Sequence, residues 1–166
     1  MIKDGFRVTK NNLYQTLPTL FKQWSISFHI MPLGINPLKE NTNILHIGTG
    51  GNWHQYGDRS PAIYFHPLTT EMHIYSAING NKNFHCKFTA SLIPMNEWTR
   101  VEVSQLRQSD DSYQFTIRKD DIIVFQIENT DPRTFTAVKV YTSHDYKHAA
   151  IARLANLTIT TFPKSA

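Results

Sequence analysis

The sequence predicts an all-β protein, an antiparallel sandwich or barrel. Three observations carry that expectation. No segment of the 166 residues sustains a 3.6-residue apolar period. About ten short apolar or alternating runs recur at spacings near ten residues, with polar turns between them. The aromatic content is 12%, dominated by Phe and Tyr, which favour strands.

The elements follow in order. Residues 1–20 read as irregular, with an extended piece from Leu13 to Leu17 that ends at Pro18. Trp24, Ile26, Phe28 and Ile30 alternate with Ser25, Ser27 and His29, so one face of that strand is buried and the other polar. Met31-Pro32 closes it, and Leu33 to Asn43 is a loop rich in Asn, Pro and Gly. Ile44 to Ile47 is an apolar run. Gly48 to Arg59 is a glycine-rich polar loop, and Pro61 leads into a second apolar run, Ala62 to Phe65. Met72 to Ile78 and Lys82 to Ala90 form a hairpin around Asn79-Gly80, a strong short-turn signal. Glu97 to Leu106 points Val101 and Val103 inward. Tyr113, Phe115 and Ile117 alternate with Gln114, Thr116 and Arg118, Lys119-Asp120-Asp121 turns the chain, and Ile122 to Ile127 returns. Val138 and Val140 begin a strand that enters the loop Ser143 to His148. Leu157, Ile159 and Phe162 mark the last strand.

Length favours a single domain over 1–166 with a substantial core. The net charge is 17 minus 13, or +4, and the basic residues come singly, which argues against a nucleic-acid partner. No run approaches the roughly 18 apolar residues of a membrane helix, so membrane insertion is not expected. The first ten residues hold no apolar h-region, which means a signal peptide that is absent or already removed. The lone Cys86 shares a face with Phe84 and Phe88 and reads as a buried thiol. Were the protein secreted, an interchain bond or a free thiol would be the alternatives.

The functional reading starts from the loop between the two apolar runs. A loop this long is usually functional or disordered. A hexose presents hydroxyls and one apolar C–H face, so its site needs amides and carboxylates beside an aromatic platform. Asn52, His54, Asp58 and Arg59 supply the first, and Trp53 or Tyr56 the second; Asn81 and Tyr146 sit in loops that could converge on them. Each has a structural counterpart. Trp53 serves equally as a loop anchor, and Asp58-Arg59 equally as a loop pin or Asx-turn. Asn79-Gly80 is turn chemistry before it is a ligand contact. His46, between Leu45 and Ile47, reads as a satisfied core or inter-sheet histidine. His144 and His148 have i, i+4 spacing but fall in a loop, which argues against zinc.

No calcium loop of the D-x-[DN]-x-[DN]-G type occurs, so a calcium site would need separate loops, with Asp58, Asp145 and Asn52 as donors and Glu40 as a solvated outlier. Glycoside hydrolysis needs two carboxylates across the bond, but Glu97 and Glu102 do not share a strand face and the Asp pairs lie in turns. There is no G-x-S-x-G elbow, and the reading is a non-enzyme. Asn156-Leu157-Thr158 is a glycosylation sequon inside an expected strand.

The runs NILHIGTGGNWHQYGDRSPAIYFH, MHIYSAINGNKNF, EWTRVEVSQ, VKVYTSHDY and LANLTI resemble a family of concanavalin-A-like, or laminin-G-like, jelly-roll domains of cnidarian extracellular proteins. Within it the chain is similar to the galactose-specific lectins of sea anemones, from about Trp24 to Phe162. The resemblance implies an antiparallel two-sheet jelly roll, secretion, a homodimer, and binding of terminal β-linked galactose (lactose-like glycans) through bound calcium. Where that family often has Ser-Asp-Pro-Trp, this chain has Ser143-His144-Asp145-Tyr146, which shifts the acidic residue by one place. An extracellular adhesion or structural module that binds protein is the alternative from another class.

Overall fold

The computed structural model describes Ile2 and residues 5–164. The irregular reading of positions 1, 3 and 4 lies outside the described residues. Twelve strands form two six-stranded sheets, and among the described residues there is no helix. In chain order the strands are β1 (Phe6–Arg7), β2 (Leu13–Leu20), β3 (Gln23–Pro32), β4 (Thr42–Gly48), β5 (Ala62–Phe65), β6 (Met72–Ile78), β7 (Asn81–Cys86), β8 (Thr99–Arg107), β9 (Tyr113–Lys119), β10 (Ile122–Glu128), β11 (Phe135–Tyr141) and β12 (Ala152–Phe162). One sheet, here sheet A, runs β1-β12-β3-β8-β9-β10; the other, sheet B, runs β2-β11-β4-β5-β6-β7. Every strand pair is antiparallel, which makes the expected jelly-roll sandwich the observed fold.

The inner faces follow from alternation. On β3 the inward set is Trp24, Ile26, Phe28 and Ile30, opposite Gln105, Val103, Val101 and Thr99 of β8. Sheet B contributes Ile44, Leu45, Ile47, Ile63, Phe65, Met72, Ile74 and Ile78, all nearly inaccessible. Each such side chain contributes roughly 1.5–3 kcal/mol by leaving water. Cys86 is buried in this core, and burial alone pushes its thiol far above the ordinary range. Phe84 and Phe88 pack on the same core, as the shared face predicts.

Several boundaries differ from expectation, among them the start of β11 at Phe135 and of β8 at Thr99. Leu13–Leu20 runs through Pro18, because β2 is an edge strand and Pro18 needs no ladder donor there. Opposite it Ala137 has φ 51°, while the register shifts further along, between Val140 and Tyr141. The short β1 carries no alternation long enough to read. The strand expected to reach Ala90 ends at Cys86, after which Met72 N–H turns to Ser91 O. The last strand starts early, at Ala152, and its bulge leaves Asn156 exposed at φ 53°.

Two hairpins carry the turn chemistry their sequences call for. Asn79 and Gly80 have φ 54° and 74°, and Asp120 and Asp121 have φ 48° and 66°. Both are two-residue turns with positive φ at each position.

Candidate functional site

The outer face of sheet B is the candidate site, and strand register builds it. The partners Tyr141↔His46, His46↔Ala62, Ala62↔Tyr75 and Tyr75↔His85 lay one continuous outward row across β11, β4, β5, β6 and β7. A neighbouring pair, Tyr64↔His73, forms the next row. Antiparallel partners point to the same side, so these side chains share one surface. The rings touch in sequence. His66 and His73 stack at 4.6 Å, His73 and His85 at 4.9 Å, and Tyr75 and His85 at 4.6 Å. Tyr64 meets Tyr75 edge-on at 6.0 Å.

The loop after β4 delivers one cation to this face. Arg59 is 9% exposed, and its guanidinium lies 5.3 Å from the ring centres of both Tyr64 and Tyr75. It donates from Nε to Asn52 O at 2.9 Å, from Nη2 to Asn52 Oδ1 at 2.9 Å, and from Nη1 to Asn83 Oδ1 at 2.8 Å. These three acceptors are neutral. Among the described residues no carboxylate lies within salt-bridge distance of it. Burying a cation without a counter-charge is costly, and the two rings and two amides reduce that cost only in part.

Asp58 works on the other side of the loop. Its Oδ1 accepts from Thr49 Oγ1 at 2.9 Å and its Oδ2 from Gln55 N–H at 2.9 Å. Burial opposes its charge, but these bonds, with those from Gly51 and His54 N–H, prevail and hold the carboxyl below its usual range. Gly51 is required here because a Cβ would run into that carboxylate, and Gly48 because a Cβ would strike Asp58 O. Asp58 and Arg59 do not pair with each other; one pins the loop and the other is presented by it.

The other expected site residues separate into groups. Trp53 and His54 are exposed at the rim, with Lys82 Nζ bonded to His54 O at 2.9 Å and 5.3 Å from the Trp53 ring centre. Asn81 is exposed at the start of β7, where its Oδ1 accepts from Asn83 N–H and so supports Arg59's partner. Tyr56 is turned elsewhere: its hydroxyl donates to Asp131 O at 2.7 Å and its ring packs under Arg133 and beside Phe135. Tyr146 stacks on His144 at 4.1 Å, and His144 lies 4.7 Å from His46, so Tyr146 belongs to the β11–β4 side of the same face.

His46 is therefore not an inter-sheet histidine. It points outward and is buried, with the His144 ring tilted against it and Tyr146 stacked on His144. Its Nε2–H donates to Asp58 O at 2.8 Å, which leaves Nδ1 as a buried acceptor without a partner. Burial first, and then His144, lowers its pKa to about 4. Burial likewise lowers His144, with Asp145 opposing, and lowers His73 and His85, each helped by a neighbouring imidazole.

The expected calcium donors do not form a donor set. Both Asp58 oxygens serve the loop, and Asn52 Oδ1 faces a guanidinium, which a divalent cation would have to displace. Asp145 is exposed and sits at His144, while Glu40 is held by His148 and Lys147. Among the described residues no group of three His, Cys, Asp or Glu could hold a metal.

Sequence reasoning passed over Tyr64, His66, His73, Tyr75, Asn83 and His85. The signal was present: alternation in Met72–Ile78 and in the returning strand puts His73, Tyr75 and His85 opposite the core, where aromatic rings need another reason to be.

No family model matches the chain, and no curated protein matches it. Solved structures do match in fold. A native heptameric SAP-like pentraxin from Limulus polyphemus aligns with TM-score 0.58 and 16% identity, over 95% of this chain and 73% of that one. The exoplasmic/lumenal domain of VIP36, in a Ca2+- and mannose-bound form, aligns with TM-score 0.51 and 11% identity, over 100% and 81%. The carbohydrate binding module CBM66 from Bacillus subtilis aligns with TM-score 0.51 and 10% identity, over 97% and 94%. At these identities the likeness is one of fold, and by fold this chain is a jelly-roll β-sandwich similar to those three domains.

Proposed function

We propose that the protein is a glycan-binding module that holds a sugar on the outer face of sheet B. The observation that carries this reading is Arg59, presented between Tyr64 and Tyr75 and oriented by Asn52 and Asn83. A pyranose needs donors fixed in direction and a ring surface for its C–H face. The fold neighbours that carry sugar or are named for binding carbohydrate, VIP36 and CBM66, support the same class. Terminal β-linked galactose is the first ligand to try, on the strength of the resemblance. The reading keeps one domain, an extracellular site of action, no catalysis, and a homodimer. Ile122 and Ile123, both half or more exposed on edge strand β10, offer an apolar edge to a second copy.

The test is calorimetric titration with lactose, with calcium and again with a chelator. Because the donor set does not suit calcium, binding is expected in both conditions. Binding seen only with calcium would restore a metal-bridged mode. No heat with lactose or with any of a panel of neutral and acidic glycans would overturn the glycan reading and leave a protein-binding adhesion module. Release of free sugar from a β-galactoside would make the protein an enzyme.

A further inference from the structure

The charges on the outer face of sheet B are one-sided. Arg59 is buried among neutral acceptors and has no carboxylate partner among the described residues. Lys82, next in sequence to Arg59's partner Asn83, spends one N–H on His54 O and lies over Trp53. The imidazoles of His66, His73 and His85 continue the surface as a stacked ladder. Lys87, just past the end of β7, is exposed and raises the local potential at His73 and His85. The acids of this side each have another partner, and Asp145, at the β11–β4 end by Tyr146, sits against His144. Asp58 is turned into its loop by Thr49 and Gln55. Glu71 is half-buried, 4.0 Å from His73. Asp131 is paired with Arg133.

Asn52 and Asn83 take three of Arg59's five N–H groups, and each Nη carries one more, on a guanidinium that also faces Tyr64. A planar guanidinium matches a two-oxygen anion better than it matches a single hydroxyl. We propose that the glycan this face takes is acidic: a hexose chain bearing a carboxylate or a sulfate, whose anionic oxygens sit on Arg59 with Lys82 at the edge. This rests on the glycan reading above and sharpens its ligand. The anion supplies the counter-charge that the fold withholds from Arg59.

The experiment is calorimetry of the full chain with lactose, sialyllactose and sulfated lactose, each at low and at high salt. The acidic ligands should bind about tenfold more tightly than lactose at low salt, and the gap should narrow as salt rises. A preference for sialyllactose alone assigns a carboxylate, and for sulfated lactose alone a sulfate. Lys82→Gln should lower affinity for the acidic ligands by more than it lowers affinity for lactose. Arg59→Gln, checked for folding by circular dichroism, should abolish the preference. Equal affinity for neutral and acidic ligands at low salt would overturn the inference and leave glycan binding intact. Silence with all three would remove both.

Discussion

The outer faces of the two sheets come from the same kind of alternation and solve their charges in opposite ways. On sheet A, the outward residues of β3, β8 and β9 are small hydroxyls and a ladder of ions: Arg118 and Arg100 both reach Glu102, at 2.9 and 3.3 Å, and Arg100 also reaches Asp121 at 2.5 Å. Every cation in that ladder has an acid. On sheet B the outward residues are rings, and its one buried guanidinium meets rings and amides in place of an acid. A surface that only has to stay in water neutralises itself. A surface that leaves a buried cation unneutralised is arranged for something that arrives from outside.

The sharpest way to break this comparison is to remove one cation from each face. Arg59→Met should cost about 4 kcal/mol of glycan affinity, roughly a thousandfold. Arg118→Met should leave affinity unchanged. Calorimetry on both variants decides; equal losses, or none in Arg59→Met, would mean that the faces do not differ in function.

Acid separates the two faces next. His46 has an ordinary value of 6.5 when unfolded and about 4 when folded. Between these values the unfolded chain binds more protons, so stability is fully present above 6.5 and is lost as pH falls towards 4. The loss from this one group is about 3 kcal/mol. His29, on the outer face of sheet A, is also lowered, by burial and then by Arg100, but it is less enclosed and should contribute much less. Urea midpoints across this pH range, for the native chain and His46→Gln, give the measurement. A variant as acid-sensitive as the native chain would shift the effect away from His46.

The two faces were unequally legible in sequence. The sandwich was legible because alternation reports burial directly, as Trp24 to Ile30 shows. The loop Gly48 to Arg59 stood out through its glycines and polar residues. Its internal division did not: nothing in Asp58-Arg59 says that one side chain turns inward and the next outward. That follows from the positions of Thr49, Gln55 and Asn83, which only the folded loop brings near. Tyr64, Tyr75 and His85 are marked in the sequence only by alternation, and the register joining them to His46 depends on the pairing of strands far apart in the chain. The outward burial of His46 was beyond reach for a similar reason, since its cover comes from His144 and Tyr146 about a hundred residues later.

Asp58→Asn tests the pin separately from the cation. The amide keeps an acceptor for Thr49 or Gln55 but loses the charge and confronts one donor with an NH2 group. Stability should fall by about 1–3 kcal/mol, and limited proteolysis should find the loop near Trp53 and His54 first. Glycan affinity of the folded fraction should fall too, since Asn52 and Arg59 are held by the same loop. Unchanged proteolysis would show that the glycines and the backbone bonds alone fix the loop.

The smallest effect belongs to sheet A. Glu102→Gln removes the acid shared by Arg100 and Arg118, but both cations are about one-third exposed and Arg100 keeps Asp121. Exposed pairs of this kind contribute 0–1 kcal/mol, and salt screens them. The expected loss is about 0.5 kcal/mol in urea denaturation, vanishing at high salt, with glycan affinity untouched. A loss of several kcal/mol would mean that the ladder on sheet A is a buried network in energetic terms, and the contrast between the two faces would then rest on what each binds and no longer on how each is neutralised.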